Sequence, residues 1–238
     1  MATENIPSQD LPDIEDIYKR FAALTANSPE LGGSLLVYAG LDRNGIALAM
    51  AANIAGAASL GLEPDLAMAK AAIRNGACDF LVNTLDEALR ILKNEIRKKR
   101  PVAVALSGGP PGMVAEMVER GVQPEVVEGA VPGMELLEAR GARRLGPAPD
   151  WGLAVSWSVE HEPMRWLPAV DELAAAALDP AERSTAARRR WIEGSPRYLG
   201  RALAAQRYVR MSEAEAEAFQ EAVRKSGVEA VVRVSRRP

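Results

Sequence analysis

The sequence predicts a doubly wound parallel α/β sheet with a helical C-terminal extension. Three observations carry that reading. Short apolar runs rich in strand formers alternate with segments of helical spacing, and the strand–turn–helix unit recurs four times. The best of these runs are apolar throughout, as strands covered on both faces require. Past residue 149 the texture changes to Ala, Arg and Glu in helical spacing. The chain therefore divides into an N-terminal tail and helix (1–30), the sheet domain (31–149) and a mainly helical extension packing on it (150–238).

The elements follow in order. Residues 13–24 place Ile14, Ile17, Tyr18, Phe21 and Leu24 at helical spacing after Pro12. SLLVYA (34–39) is a buried strand that ends at Gly40, and 40–45 is a turn into an alanine-rich helix. A second strand at 59–62 leads to the turn Glu63-Pro64-Asp65 and a helix over 66–75, stopped by Gly76. A third strand, 79–83, precedes a helix over 85–98, with Thr84 and Glu87 at capping-box spacing. PVAVAL (101–106) is the fourth strand, followed by a Gly/Pro turn at 107–111 and a helix to Arg120. A short strand at 125–127, a helix at 134–139 and a loop at 141–149 complete the domain. In the extension, helices are predicted over 167–177, 180–192, 196–207 and 212–226, with Ser212 and Glu215 as a second capping box. Residues 151–157 and 228–234 alternate and read as strands.

Composition narrows the function. With 29 Lys and Arg against 32 Asp and Glu, the net charge is -3, which argues against a nucleic-acid binder. The apolar stretch 46–62 is too rich in small residues to span a membrane, and the polar start at 1–12 lacks a signal-peptide pattern. A cytoplasmic protein is expected. One cysteine and one histidine leave no disulfide and no His/Cys metal cage within the chain. Cys78 reads as a core thiol. His161, flanked by Glu160 and Glu162, reads as a solvated loop residue, with proton shuttling as the alternative. The run 188–190 reads as a solvated basic helix face, and 236–238 as a frayed tail. Trp151, Trp157 and Trp166 are expected to pack the extension onto the sheet.

The pieces SLLVYAGL (34–41), AANIAG (51–56), LEPD (62–65), TLDEALR (84–90), RPVAVAL with Gly108 (100–108) and ERGVQPEVV (119–127) stand in one order and spacing. Together they make residues 31–130 resemble the Rossmann-like NAD-binding domain of the urocanase (urocanate hydratase) family. The resemblance implies a bound NAD+ acting as an electrophile in a hydro-lyase, and a homodimer. Cofactor contacts are expected at Gly40, Gly45, Glu63 and Gly108, which match the family, and at their neighbours Arg43, Asn44 and Gly109.

Departures from the family pattern are specific. Asp42, Arg43 and Ile46 stand where the family has glycines, and Leu48 where it has glutamine. Asp42 would repel a phosphate, Ile46 adds bulk at the helix start, and Arg43 would compensate by pairing with the phosphate. Glu63 reads as a ribose ligand or as a solvated turn residue before Pro64. Gly109 replaces a family asparagine. In the stretch 128–134 only Glu128 can do acid–base work. No counterpart exists of the family's substrate-binding arginine or catalytic tyrosine, so no catalytic residue is assigned and urocanate hydration by this chain alone is not expected. Three functions remain: a protein that binds NAD+ or a related nucleotide, an enzyme of unassigned reaction that uses Asp42, Arg43, Glu128 or His161 in the same crevice, and a non-catalytic oligomerisation or partner-binding protein on a degenerate urocanase domain. A filled crevice would favour the last.

Overall fold

A computed structural model describes residues 11–203 and 205–235. The tail at 236–238 and most of the polar start at 1–12 lie outside the described residues.

The chain opens with helix α1 (Ile14–Thr25). Asp13 caps it by accepting the Asp16 N–H at 2.8 Å, and Ile17, Tyr18, Phe21 and Leu24 are buried along one face. Burying each such large side chain contributes about 1.5–3 kcal/mol. The order then runs β1 (Leu35–Ala39), α2 (Arg43–Ala55), β2 (Ala58–Glu63), α3 (Leu66–Arg74), β3 (Phe80–Val82), α4 (Leu85–Arg97), β4 (Val102–Ser107), α5 (Pro110–Glu119), β5 (Val126–Glu128), α6 (Met134–Ala139) and β6 (Arg143–Arg144). The six strands form one parallel sheet in the order β3-β4-β2-β1-β5-β6. The doubly wound reading is correct. The stretch read as a loop at 141–149 contributes β6, which two residues pair with Val126 and Val127.

Register explains the two cores. Leu36 and Tyr38 lie level with Ser59 and Gly61 on β2, which lie level with Ala103 and Ala105 on β4. Successive strand residues alternate faces, so these share one side of the sheet. Of these, Ser59, Gly61, Ala103 and Ala105 are small and let the alanine-rich α2 and α3 sit close to the sheet. On the other side, Val37, Leu60, Leu62, Val104 and Leu106 pack against α4, α5 and α6. Thr84 accepts the Glu87 N–H at the start of α4, but the Glu87 carboxylate accepts the Asn83 N–H rather than that of Thr84.

The C-terminal segment carries more strand than its sequence suggests. Helices α7 (Pro163–Ala176), α8 (Thr185–Tyr198), α9 (Gly200–Leu203) and α10 (Glu213–Ser226) accompany β7 (Leu153–Val159), β8 (Arg207–Met211) and β9 (Ala230–Ser235). These strands form an antiparallel sheet in the order β8-β7-β9. The helix expected over 196–207 does not exist as such. Pro196 lies inside the end of α8, Gly200 takes φ +67 and breaks the rod, and Tyr208 and Val209 enter a strand. The predicted capping box of Ser212 and Glu215 is present on α10.

The tryptophans join the extension to the α1 side of the sheet. Trp157 is buried, Trp151 and Trp166 pack against the same core, and Tyr18 meets Trp151, Trp191 and Tyr208 edge-on. The 188–190 run is solvated only at Arg189. Arg188 is 2 % exposed and paired with Glu215, and Arg190 donates to the Ile54 carbonyl at 3.0 Å. Among the described residues no helix is long and apolar enough to cross a membrane.

Candidate functional site

In an open parallel sheet, ligands bind outside the carboxyl ends of the strands, where neighbouring strands send their chains to opposite faces. Here that holds at two places, between β2 and β4 and between β1 and β5, and the second lies beside the turn 40–45. After β1 the chain passes to α2 on one face, and after β5 to α6 on the other. The crevice is therefore bounded by the turn 40–45 and by the turn that follows Glu128.

Gly40 opens the first turn with φ +85, a conformation that favours glycine, and nothing lies within 4 Å of where a Cβ would stand. Gly45 is different. A Cβ there would lie 2.1 Å from the Gly40 carbonyl oxygen, so this glycine lets the helix start close against the turn. Its role is packing, whatever binds nearby.

Asp42 caps α2. One carboxylate oxygen accepts the N–H groups of Asn44 and Gly45, both at 3.0 Å. Those donors are the ones a phosphate would use. Arg43 does not reach toward that position. Its guanidinium holds Asp16 at 2.5 and 3.0 Å, the Leu11 carbonyl at 2.6 Å and Asp13 at 3.4 Å. Ile46 and Leu48 are buried in the core and add no bulk to the mouth of the turn. The expected steric and compensating roles of Ile46 and Arg43 are thus both replaced: one side chain points inward, and the other pairs with α1.

Glu63, at the end of β2, is neither a solvated turn residue nor a free carboxylate. It is 6 % exposed. One oxygen accepts the Leu41 N–H at 2.6 Å and the other the Asp65 N–H at 2.8 Å. Its own carbonyl accepts the Gly108 N–H at 3.0 Å. Glu63 therefore fastens three turns at the carboxyl edge. The Met113 methyl lies where a Cβ on Gly108 would stand, and Gly109 is the N-cap of α5 with open space over it.

The polar side chain that sequence reading missed is Arg20. It projects from α1 and spans the crevice. One guanidinium nitrogen donates to Asn44 at 3.3 Å, and another lies 3.7 Å from Glu128 on β5. Arg20 and Glu128 are each about one-third exposed. No motif marks Arg20, because its role depends on where α1 packs. His161 sits exposed in the β7–α7 turn on the second sheet and takes no place at this edge.

This fold and edge define a Rossmann-like α/β protein. Residues 15–132 match the urocanase Rossmann-like domain and belong to that family. One solved structure, a SAM-dependent methyltransferase from Geobacter sulfurreducens in complex with S-adenosyl-L-homocysteine, aligns at 17 % identity. The alignment covers 98 % of this chain and 94 % of that one, with a TM-score of 0.32.

The cofactor implied by the family can be tested against these residues. A dinucleotide's diphosphate needs free N–H groups at the α2 N-terminus and a ribose needs an open carboxylate after β2. Asp42 takes the first and two backbone amides occupy Glu63. The present arrangement does not fit NAD+ in that mode.

Proposed function

We propose that this protein binds a nucleotide-type small molecule at the carboxyl edge of its six-stranded sheet, without a diphosphate at the α2 N-terminus, and is not by itself a urocanate hydratase. The observation that carries the reading is the meeting of Arg20, Asn44 and Glu128 over the β1–β5 switch point, beside the open Gly40 turn. A guanidinium, an amide and a carboxylate offer both donors and acceptors to a neutral heterocycle or its sugar. NAD+ would bind there only with the Asp42 carboxylate displaced. Calorimetric titration with adenosine and with NAD+ tests this. Adenosine should bind more tightly than NAD+, and Arg20→Met should abolish its heat. No heat from adenosine at millimolar concentration would sink the reading.

The homodimer implied by the resemblance has a separate support. Phe80 is 47 % exposed on the outer edge of β3, beside a cleft of about 820 Å³ that Ile91 and Asn94 also line. Edge strands with apolar side chains invite pairing. We propose that a second copy covers Phe80. Light scattering should then give a dimer mass for the wild type and a monomer mass for Phe80→Arg. A wild-type monomer at micromolar concentration would remove this proposal.

A further inference from the structure

We propose that Asp42 is an internal surrogate for a ligand anion, and that it sets the specificity of this edge against diphosphate compounds. The inference deepens the reading above and rests on it for the identity of the natural ligand, though not for its own test.

Two independent contacts support it. The donors come first. Where a phosphate at a helix start would take the exposed N–H groups, the Asp42 oxygen already accepts those of Asn44 and Gly45. A carboxylate in that place also meets the positive end of the α2 dipole, so it is favoured twice. The cation comes second. Arg43 stands next in sequence and is the residue type that clamps phosphate, yet Asp16, Asp13 and the Leu11 carbonyl hold it on α1. Both halves of an anion site, the amide donors and the guanidinium, are satisfied within the chain. An incoming diphosphate must displace one carboxylate from the donors and then sit beside its negative charge. A neutral ligand over Gly40 meets neither cost. The same substitution that caps the helix thus filters the ligand.

The test uses the full chain and inorganic pyrophosphate as the probe, titrated calorimetrically into wild type, Asp42→Gly and Asp42→Asn. Gly and Asn are both accepted at an N-cap, so α2 should survive in each. Gly frees both donors and removes the charge. It should bind pyrophosphate at least about tenfold more tightly than wild type. Asn keeps an acceptor in place but removes the charge, and should gain less, about threefold. The Asn variant decides the matter if the Gly variant does not fold.

The proposal is overturned if a folded Asp42→Gly protein, checked by circular dichroism, binds pyrophosphate no better than wild type. It is equally overturned if wild type binds the probe as tightly as either variant. Adenosine, titrated in parallel, reports on the functional reading alone. A gain in pyrophosphate affinity without adenosine binding would support the Asp42 filter and reject the nucleoside ligand.

Discussion

The Leu41 N–H and the Glu63 carboxylate are joined at 2.6 Å, and this bond ties the turn after β1 to the end of β2. The other Glu63 oxygen takes the Asp65 N–H, so one buried side chain fixes the start of α2 and the approach to α3. Hydrogen bonds to a charged group contribute about 1.5–3 kcal/mol each, and an orphaned buried N–H has its own cost. Glu63→Ala should therefore lower the ligand-free stability by about 2–4 kcal/mol, read by urea unfolding. A residue that served only a ribose would leave the ligand-free protein unchanged. Glu63→Gln keeps one acceptor oxygen and should fall between the two.

Much of this edge was legible in the sequence, in a particular sense. The strand run 34–39, Gly40 and Glu63 announced a strand, a turn and a carboxylate about twenty residues on, and all three stand where a parallel sheet requires them. What each side chain does there was not legible. Whether Asp42 repels a phosphate or replaces it depends on one rotamer that faces its own helix. Glu63 looked solvated because Pro64 follows it, yet strand pairing places it level with Ser107, in the interior. Arg20 carried no signal at all, since its partners are 24 and 108 residues away in sequence and only the packing of α1 on α2 brings them near. β8 was hidden by Pro196, which usually opens a helix and here lies near the end of one.

Cys78 is 4 % exposed, and burial pushes its thiol up to about 12, with the neighbouring Asp79 charge adding to the rise. The thiolate is the reactive form, so the native protein holds almost none of it at neutral pH. Dithiobis-nitrobenzoate should titrate no thiol in the folded protein and one in strong denaturant. Rapid native labelling would show that the β3 region opens locally.

Arg188 and Glu215 are a second pair of consequence, for stability rather than for the site. Their fork-to-fork contact has bonds of 2.5 and 2.9 Å, with both side chains at most 4 % exposed. Removing one partner strands a buried charge and costs about 3–5 kcal/mol. Arg188→Met should approach that loss in a urea titration. Adding Glu215→Gln to it removes the stranded charge and keeps an acceptor for one of the Asp179 and Ser212 N–H groups, which bond to different Glu215 oxygens. The double variant should be more stable than Arg188→Met alone by at least about 1 kcal/mol. Equal stability would mean that the Glu215 charge left by Arg188→Met carries no penalty.

The same carboxylate sets an acid limit. Burial alone would raise the Glu215 carboxyl, but the Arg188 fork and the Asp179 and Ser212 N–H groups together hold it below its ordinary value of 4.5. The unfolded chain then takes up the proton first as pH falls. The stabilisation is complete above the unfolded value and is lost as pH drops through 4.5 and below. Asp171 has the opposite sign. Burial raises it above 3.8 against the pull of Arg207, so its contribution falls as pH rises through that value. The stability gap between wild type and Glu215→Gln should therefore shrink steadily between about pH 6 and about pH 3. Urea midpoints at both ends decide it: a gap of constant size would mean that Glu215 holds its proton equally well folded and unfolded, and that the acid sensitivity of the chain lies in another carboxylate.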